Sequence, residues 1–226
     1  MNPFRSIHWY TSLLWALVVK PKYKPGEFWE GRHSKRHDFW TVGRRSFSEK
    51  DNEEWYRRLA DDLTADFQAT GLELSALSVL EIGAGTGYWT KLLRRLGVQR
   101  YIGVEIAQSA VDWLRVQNPD CQFELHDASK SLPQGPFDLV VMLHVDEHIH
   151  GENFLSCQRN IKAAMGPKGV FYTTFRTEPT LSGVTYVEYH TQEDFAKVWP
   201  REWISRVPQP NNGDAMLKIS AGGGSG

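Results

Sequence analysis

From Val79 to Thr90 the chain reads Val-Leu-Glu-Ile-Gly-Ala-Gly-Thr-Gly-Tyr-Trp-Thr, an apolar run that breaks into three glycines at alternate positions before a helix-like segment. Glycine enters left-handed backbone conformations without steric cost, so Gly83, Gly85 and Gly87 permit a sharp strand-to-helix turn and close approach of a ligand to the main chain. The dinucleotide fingerprint is G-x-G-x-x-G. Here its third glycine position is Tyr88, and Gly87 comes one residue early. A pyrophosphate also has no use for Glu81, two residues before Gly83. No Lys-Ser/Thr pair follows the glycines, which argues against an ATP-type phosphate loop. An acid at position 81 can instead bind a ligand's ammonium group.

The flanking pattern is a regular alternation. Strands are expected over Ser78–Ile82, Arg100–Glu105, Cys121–His126, Phe137–Leu143 and Val170–Phe175. Helices are expected over Tyr88–Leu96, Ser109–Gln117 and about Asn153–Met165, with a turn at Gly166-Pro167-Lys168-Gly169. Strands alternating with helices imply a parallel sheet covered on both faces. Upstream, Trp55, Leu59, Leu63 and Phe67 recur at spacing four, which predicts a helix over Glu53–Ala69 with Gly71 at its C-terminal end. Downstream, Thr191 caps a short helix to Val198, with Asp194 three residues on. Two strands near Trp203–Val207 and Ala215–Ser220 flank a Pro/Asn/Gly turn from Pro208 to Gly213. Residues 1–50 read as irregular, aromatic and basic.

Composition narrows the classes. The chain has 226 residues, 41% of them hydrophobic, enough to bury a substantial core. Two cysteines, Cys121 and Cys157, exclude a disulfide framework and a four-cysteine metal site, and point to a reducing, cytoplasmic setting. The longest apolar run, Leu13 to Val19, is seven residues, against about 20 for a membrane span. It reads as a segment packed on the domain rather than a membrane-surface element with Trp9, Tyr10 and Trp15. The net charge of −1 hides an asymmetry, because residues 1–50 hold ten Lys/Arg against four acids. Such a basic arm attracts anions or is simply a solvated surface.

The E-x-G-x-G-x-G pattern closely resembles the first motif of class I S-adenosylmethionine (SAM)-dependent methyltransferases. Four more elements agree in order: Gly103-Val104-Glu105, His126-Asp127-Ala128, the Phe137–Leu143 strand, and Met165-Gly166-Pro167-Lys168-Gly169-Val170. The last two strands resemble the family's terminal antiparallel hairpin. The resemblance implies an α/β fold with a doubly wound, seven-stranded, mostly parallel sheet. It implies SAM as cofactor, bound by Glu81, Gly83, Ala84, Gly85 and Gly87, by Glu105 and Ile106 at the ribose, by Asp127 and Ala128 at the adenine, and by Leu143 after the fourth strand. The arm, with Phe39, Trp40, Arg44 and Arg45, would lid the cofactor, Trp40 touching it. Residues 1–52 would be arm and lid, 53–220 the SAM-binding domain, and 221–226 a linker-like tail.

Ligands in open parallel sheets sit outside the carboxyl ends of the strands. The segment after the fourth strand, Leu143-His144-Val145-Asp146-Glu147-His148-Ile149-His150, therefore faces the chemistry. His144 comes first and is the expected general base, its ordinary pKa of about 6.5 suiting proton abstraction, with Glu147 as its catalytic partner. Asp146 and His148 would bind substrate. With Glu147 they are also the candidate ligands of a divalent cation such as Mg, although no recognised metal spacing is present. Tyr186, Glu188 and His190, in an insertion before the last helix, are further substrate-binding candidates.

The acceptor is narrowed by what is missing. Leu-His-Val-Asp stands where amino-methylating enzymes of adenine or glutamine carry Asn/Asp-Pro-Pro-aromatic. Neither cysteine follows a proline, as a cytosine C5 nucleophile would, and arsenite methylation needs several cysteines. A histidine flanked by acids favours an oxygen acceptor on a small molecule, a saccharide before others, as in bacterial sugar O-methyltransferases of the methylmannose-polysaccharide type. Two other readings stay open: an RNA or protein methyltransferase docking through the basic arm, nucleic acid being disfavoured, and a non-catalytic SAM-binding regulatory module. A homodimer is the default expectation for a soluble oligomer.

Overall fold

The computed structural model describes residues 23–177, 184–210 and 214–222. The apolar run Leu13–Val19, the aromatics before it, the end of the 208–213 turn and most of the tail lie outside the described residues. Element order is α1 (Pro25–His33), α2 (Phe39–Val42), α3 (Glu49–Ala69), β1 (Ser78–Ile82), α4 (Tyr88–Arg95), β2 (Arg100–Glu105), α5 (Gln108–Gln117), β3 (Gln122–Leu125), β4 (Phe137–Met142), α6 (Glu152–Ala164), β5 (Met165–Thr174), α7 (Gln192–Phe195), β6 (Ile204–Arg206) and β7 (Met216–Ser220). One seven-stranded sheet runs β3-β2-β1-β4-β5-β7-β6. Strands β1 to β5 pair in parallel, while β7 is antiparallel to both β5 and β6. The strand order reverses between β1 and β4, so the crevice expected of a doubly wound sheet opens at their carboxyl ends.

Period-two alternation divides the core. Val79, Leu139, Val141 and Tyr172 face the layer of α3, α4 and α5, where Leu59, Leu63 and Phe67 are buried. Leu80, Ile82, Val140, Met142 and Phe171 face the α6 layer with Phe154, Cys157, Ile161 and Trp199. Helix α3 starts at Glu49, four residues earlier than its apolar stripe predicts, because Ser48 and Asp51 form a reciprocal capping box. The Gly166–Gly169 turn is a bulge inside β5: pairing jumps from Phe137–Met165 to Leu139–Val170. Among the described residues no helix is long and apolar enough to cross a membrane.

Residues 23–50 are less irregular than expected. Pro25, whose missing N–H costs nothing at a helix start, opens α1. Tertiary contact holds the helix in place: Glu30 Oε2 accepts from Ser109 N at 3.1 Å, satisfying an N-terminal amide of α5. The segment thereby covers the crevice.

Candidate active site

The crevice is a cavity of about 690 Å³ between the glycine loop, the ends of β2, β3 and β4, and α1. Gly83, Gly85 and Gly87 take φ of +76°, +55° and +73°. A Cβ on Gly83 would stand 2.2 Å from Val145 Cγ2, so glycine is demanded there by space as well as by backbone. Gly85 N donates to Glu105 Oε2 at 3.1 Å, and Ile106 N and Ala107 N donate to Glu105 Oε1 at 2.7 and 3.3 Å. Burial raises the Glu105 pKa and these amides oppose the rise. A carboxylate offers about four acceptor sites, so three amides leave room for a ligand hydroxyl. Asp127 Oδ1 accepts from Ser129 N and Oγ at 3.1 and 2.6 Å. Ala84, Ile106, Ala128 and Leu143 also line the cavity.

Two expected cofactor contacts lie elsewhere. Glu81 shares the face of Val79, so its carboxylate turns under α4 rather than into the cavity. Its Oε2 accepts from Tyr101 Oη at 2.7 Å and Thr90 Oγ1 at 2.9 Å, and burial pushes its pKa up to about 7. Trp40 stands outside the lining at 45% exposure, ringed by the guanidinium groups of Arg32, Arg36 and Arg45. Helix α2 is one turn long, and it is Val42, two positions on, that faces the cavity. The aromatic roof is formed instead by Tyr23, Trp29 and His33, with Tyr56 from α3. Only the density of aromatics in the arm hinted at this.

His144 is buried where the cavity meets a smaller one of about 180 Å³, and it lines both. Its ring packs on Trp55 and Tyr56, at centroid distances of 4.3 and 5.4 Å. Nδ1 faces Asp214 Oδ2 at 3.7 Å, and Nε2 is buried without a hydrogen-bond partner. Arg44 Nη2 reaches the same Asp214 oxygen at 3.3 Å, with its guanidinium stacked over Trp55. Burial lowers the imidazole pKa, while Asp214 and Glu147 oppose the shift, so the ring is neutral near pH 7. Asp214 lies seventy residues downstream of His144, two residues before β7, and no local signal joins the two.

Other residues of the segment diverge. Asp146 and Glu147 line the smaller cavity, and Glu147 Oε1 is 3.9 Å from His148 Nε2. Asp146 Oδ1 accepts from Thr174 Oγ1 at 2.6 Å. His148 turns to the larger cavity and pairs its Nδ1 with the Tyr186 carbonyl at 2.8 Å. Among the described residues no group of three His, Cys, Asp or Glu side chains converges as metal ligands. The Asp146–Glu147–His148 cation site is thus corrected: Asp146 turns to Thr174 while His148 turns to the Tyr186 carbonyl, so the three side chains do not converge on one point. Three substrate candidates are likewise structural pins. Glu188 Oε1 accepts from Gly151 N, His190 stacks on Phe154 at 3.7 Å and bonds the Ile149 carbonyl, and Tyr186 stacks on Phe28 at 4.8 Å.

A family model described as a methyltransferase domain matches residues 50–209. The ribosomal protein L11 methyltransferase of Neisseria gonorrhoeae (strain ATCC 700825 / FA 1090) is 44% identical over 68 residues, 28% of this chain and 22% of that protein. The chain therefore spans under a quarter of the curated relatives it matches. The magnesium protoporphyrin IX methyltransferase of Synechocystis PCC 6803, solved with bound SAM, has a TM-score of 0.65 at 16% identity, covering 89% of this chain and 99% of that one. An amino pentose methyltransferase of Micromonospora echinaspora has a TM-score of 0.59 at 15% identity, covering 77% and 97%. At these identities the likeness is one of fold.

Proposed function

The chain belongs to the methyltransferase-domain family; from that premise we propose that it is a class I SAM-dependent enzyme that methylates a hydroxyl of a small molecule, a saccharide before others, with His144 as general base. One observation carries this reading: a neutral, buried imidazole at the junction of two cavities, its Nδ1 edge facing a carboxylate and its Nε2 unpartnered.

The cavity suits the cofactor. The glycine backbone lies open to close approach, Glu105 keeps acceptor capacity for ribose hydroxyls, Asp127 stands at the end of the next strand, and the volume falls in the roughly 300–1,000 Å³ range of small-molecule sites. SAM supplies a methyl group on a sulfonium, which departs by direct displacement. What the protein adds is position, dryness and a proton acceptor. Asp214, steadied by Arg44, orients His144 from the Nδ1 side, leaving Nε2 to take the acceptor's proton as its oxygen bonds to carbon. Tyr23 and Trp29 exclude water and offer aromatic faces to a sugar ring. Asp146 and His148 remain the proposed acceptor contacts, and Glu147 the proposed catalytic partner.

Pairing within the arm supports a small acceptor over a nucleic acid. Lys24 pairs with Glu27, Arg36 with Asp38 and Arg44 with Asp214, so these cations are already partnered. The test is transfer of label from methyl-labelled SAM into fractionated cell extract. Label should enter a saccharide or small-molecule fraction, and His144→Ala should cost about a hundredfold or more. Label in RNA or protein would overturn the acceptor, and full activity of His144→Ala would overturn the base.

A further inference from the structure

Among the described residues His144 is the sole non-glycine with a left-handed backbone, at φ +58°. Such a conformation persists only where surrounding structure over-determines it. Here the restraint is visible. His144 N donates to Thr174 Oγ1 at 3.0 Å, and that hydroxyl donates onward to Asp146 Oδ1 at 2.6 Å. All three residues are buried. Thr174 is the last residue of β5 and is anchored by pairing with Met216 of β7. Asp146 is a second anomaly beside the first: among the described residues no lysine or arginine pairs with it, and the Thr174 hydroxyl is its side-chain donor. A strained backbone at the junction of both cavities and, two residues on, a buried carboxyl with no cationic partner beside the smaller one are local costs that packing alone does not explain.

We infer that Thr174 and Asp146 are positioning residues: their hydroxyl–carboxyl relay holds His144 in its left-handed turn and so aims the imidazole between the two cavities. The relay is directional. Thr174 can accept from the His144 amide only with its own hydrogen turned elsewhere, and Asp146 receives that hydrogen. A valine at 174 fills similar space but severs both bonds, so the peptide at 144 can relax and carry the ring off line. A displacement of this kind acts on turnover rather than on cofactor affinity, because the glycine loop and Glu105 are untouched.

This inference rests on His144 being the base, and the test separates the two. Thr174→Val, Thr174→Ser and His144→Gly would be compared by S-adenosylhomocysteine affinity, by methyl transfer, and by NMR of isotope-labelled histidine, in which His144→Gly identifies the His144 resonances. Thr174→Val should bind S-adenosylhomocysteine within about twofold of wild type, lose about tenfold or more in kcat, and shift the His144 resonances. Thr174→Ser, which restores the hydroxyl, should recover both kcat and the resonances; a merely structural threonine would show no such recovery. The relay is refuted if folded Thr174→Val keeps kcat within about twofold and leaves the resonances in place. Should Thr174→Val not fold, Thr174→Ala carries the same comparison. Retained transfer in His144→Gly would instead refute the base, and the resonances would still judge the relay.

Discussion

Gly83→Ala with and without Val145→Ala separates the two demands made on the glycine loop. At φ +76° an alanine meets the left-handed penalty, about 1–2 kcal/mol. Its Cβ would also lie 2.2 Å from Val145 Cγ2, an overpacking that costs about 1–3 kcal/mol. The stiffer unfolded chain returns about 0.4–1 kcal/mol. The net is a loss of about 1–5 kcal/mol, or roughly 2–20 °C in Tm for a chain of this size. Val145→Ala alone removes two methyl groups and costs about 1–2 kcal/mol. In the double variant the closest clash disappears, but Val145 Cβ stays 3.3 Å away and φ stays positive. Urea unfolding of all four proteins should therefore give a favourable coupling of about 1–3 kcal/mol, with a residual deficit from the backbone. Additivity within about 0.5 kcal/mol would refute the packing argument. A Gly83→Ala protein as stable as wild type would refute the left-handed turn.

Two further predictions concern histidines. His144→Gly and His144→Ala lose the same imidazole, yet glycine should be the more stable by about 1 kcal/mol, reversing its usual order, because position 144 is left-handed; equal melting points would contradict that backbone. Burial pushes His33 and His148, which both line the cavity, down to about 4. Each binds its proton more weakly folded than unfolded, so its contribution is fully present above about pH 6.5 and is lost as pH falls from there toward 4. Relative to wild type, a His33→Gln/His148→Gln protein should lose stability less steeply over that window, by up to about 1.4 kcal/mol per pH unit for each histidine. Parallel pH–stability curves would show that the two imidazoles are not buried neutral. The difference is the measurement to make, since Glu81, raised to about 7, tilts both proteins the opposite way.

Much of this protein is legible in its sequence because it is local. An apolar run such as Ser78–Ile82 against three glycines makes a strand and a turn wherever it sits, and β1 and β2 fall where their residues predict. The same locality marks the stripe of α3 and places Glu105, Asp127 and His144 at strand ends. What the tertiary structure alone decided is direction and distant company. Glu81 and Ile82 are neighbours, but which faces the α4 layer and which the α6 layer depends on how the sheet is covered. Helix α1 lacks a clear apolar stripe and is held by Glu30 reaching α5. Asp214 meets His144 only because β7 returns beside β5. Asp146, Glu147 and His148 look like one cluster in the sequence, but Asp146 turns to Thr174 and His148 to the Tyr186 carbonyl. Short-range sterics and periodicity write the elements into the chain, whereas the partners of a buried side chain are set by packing among residues far apart in it.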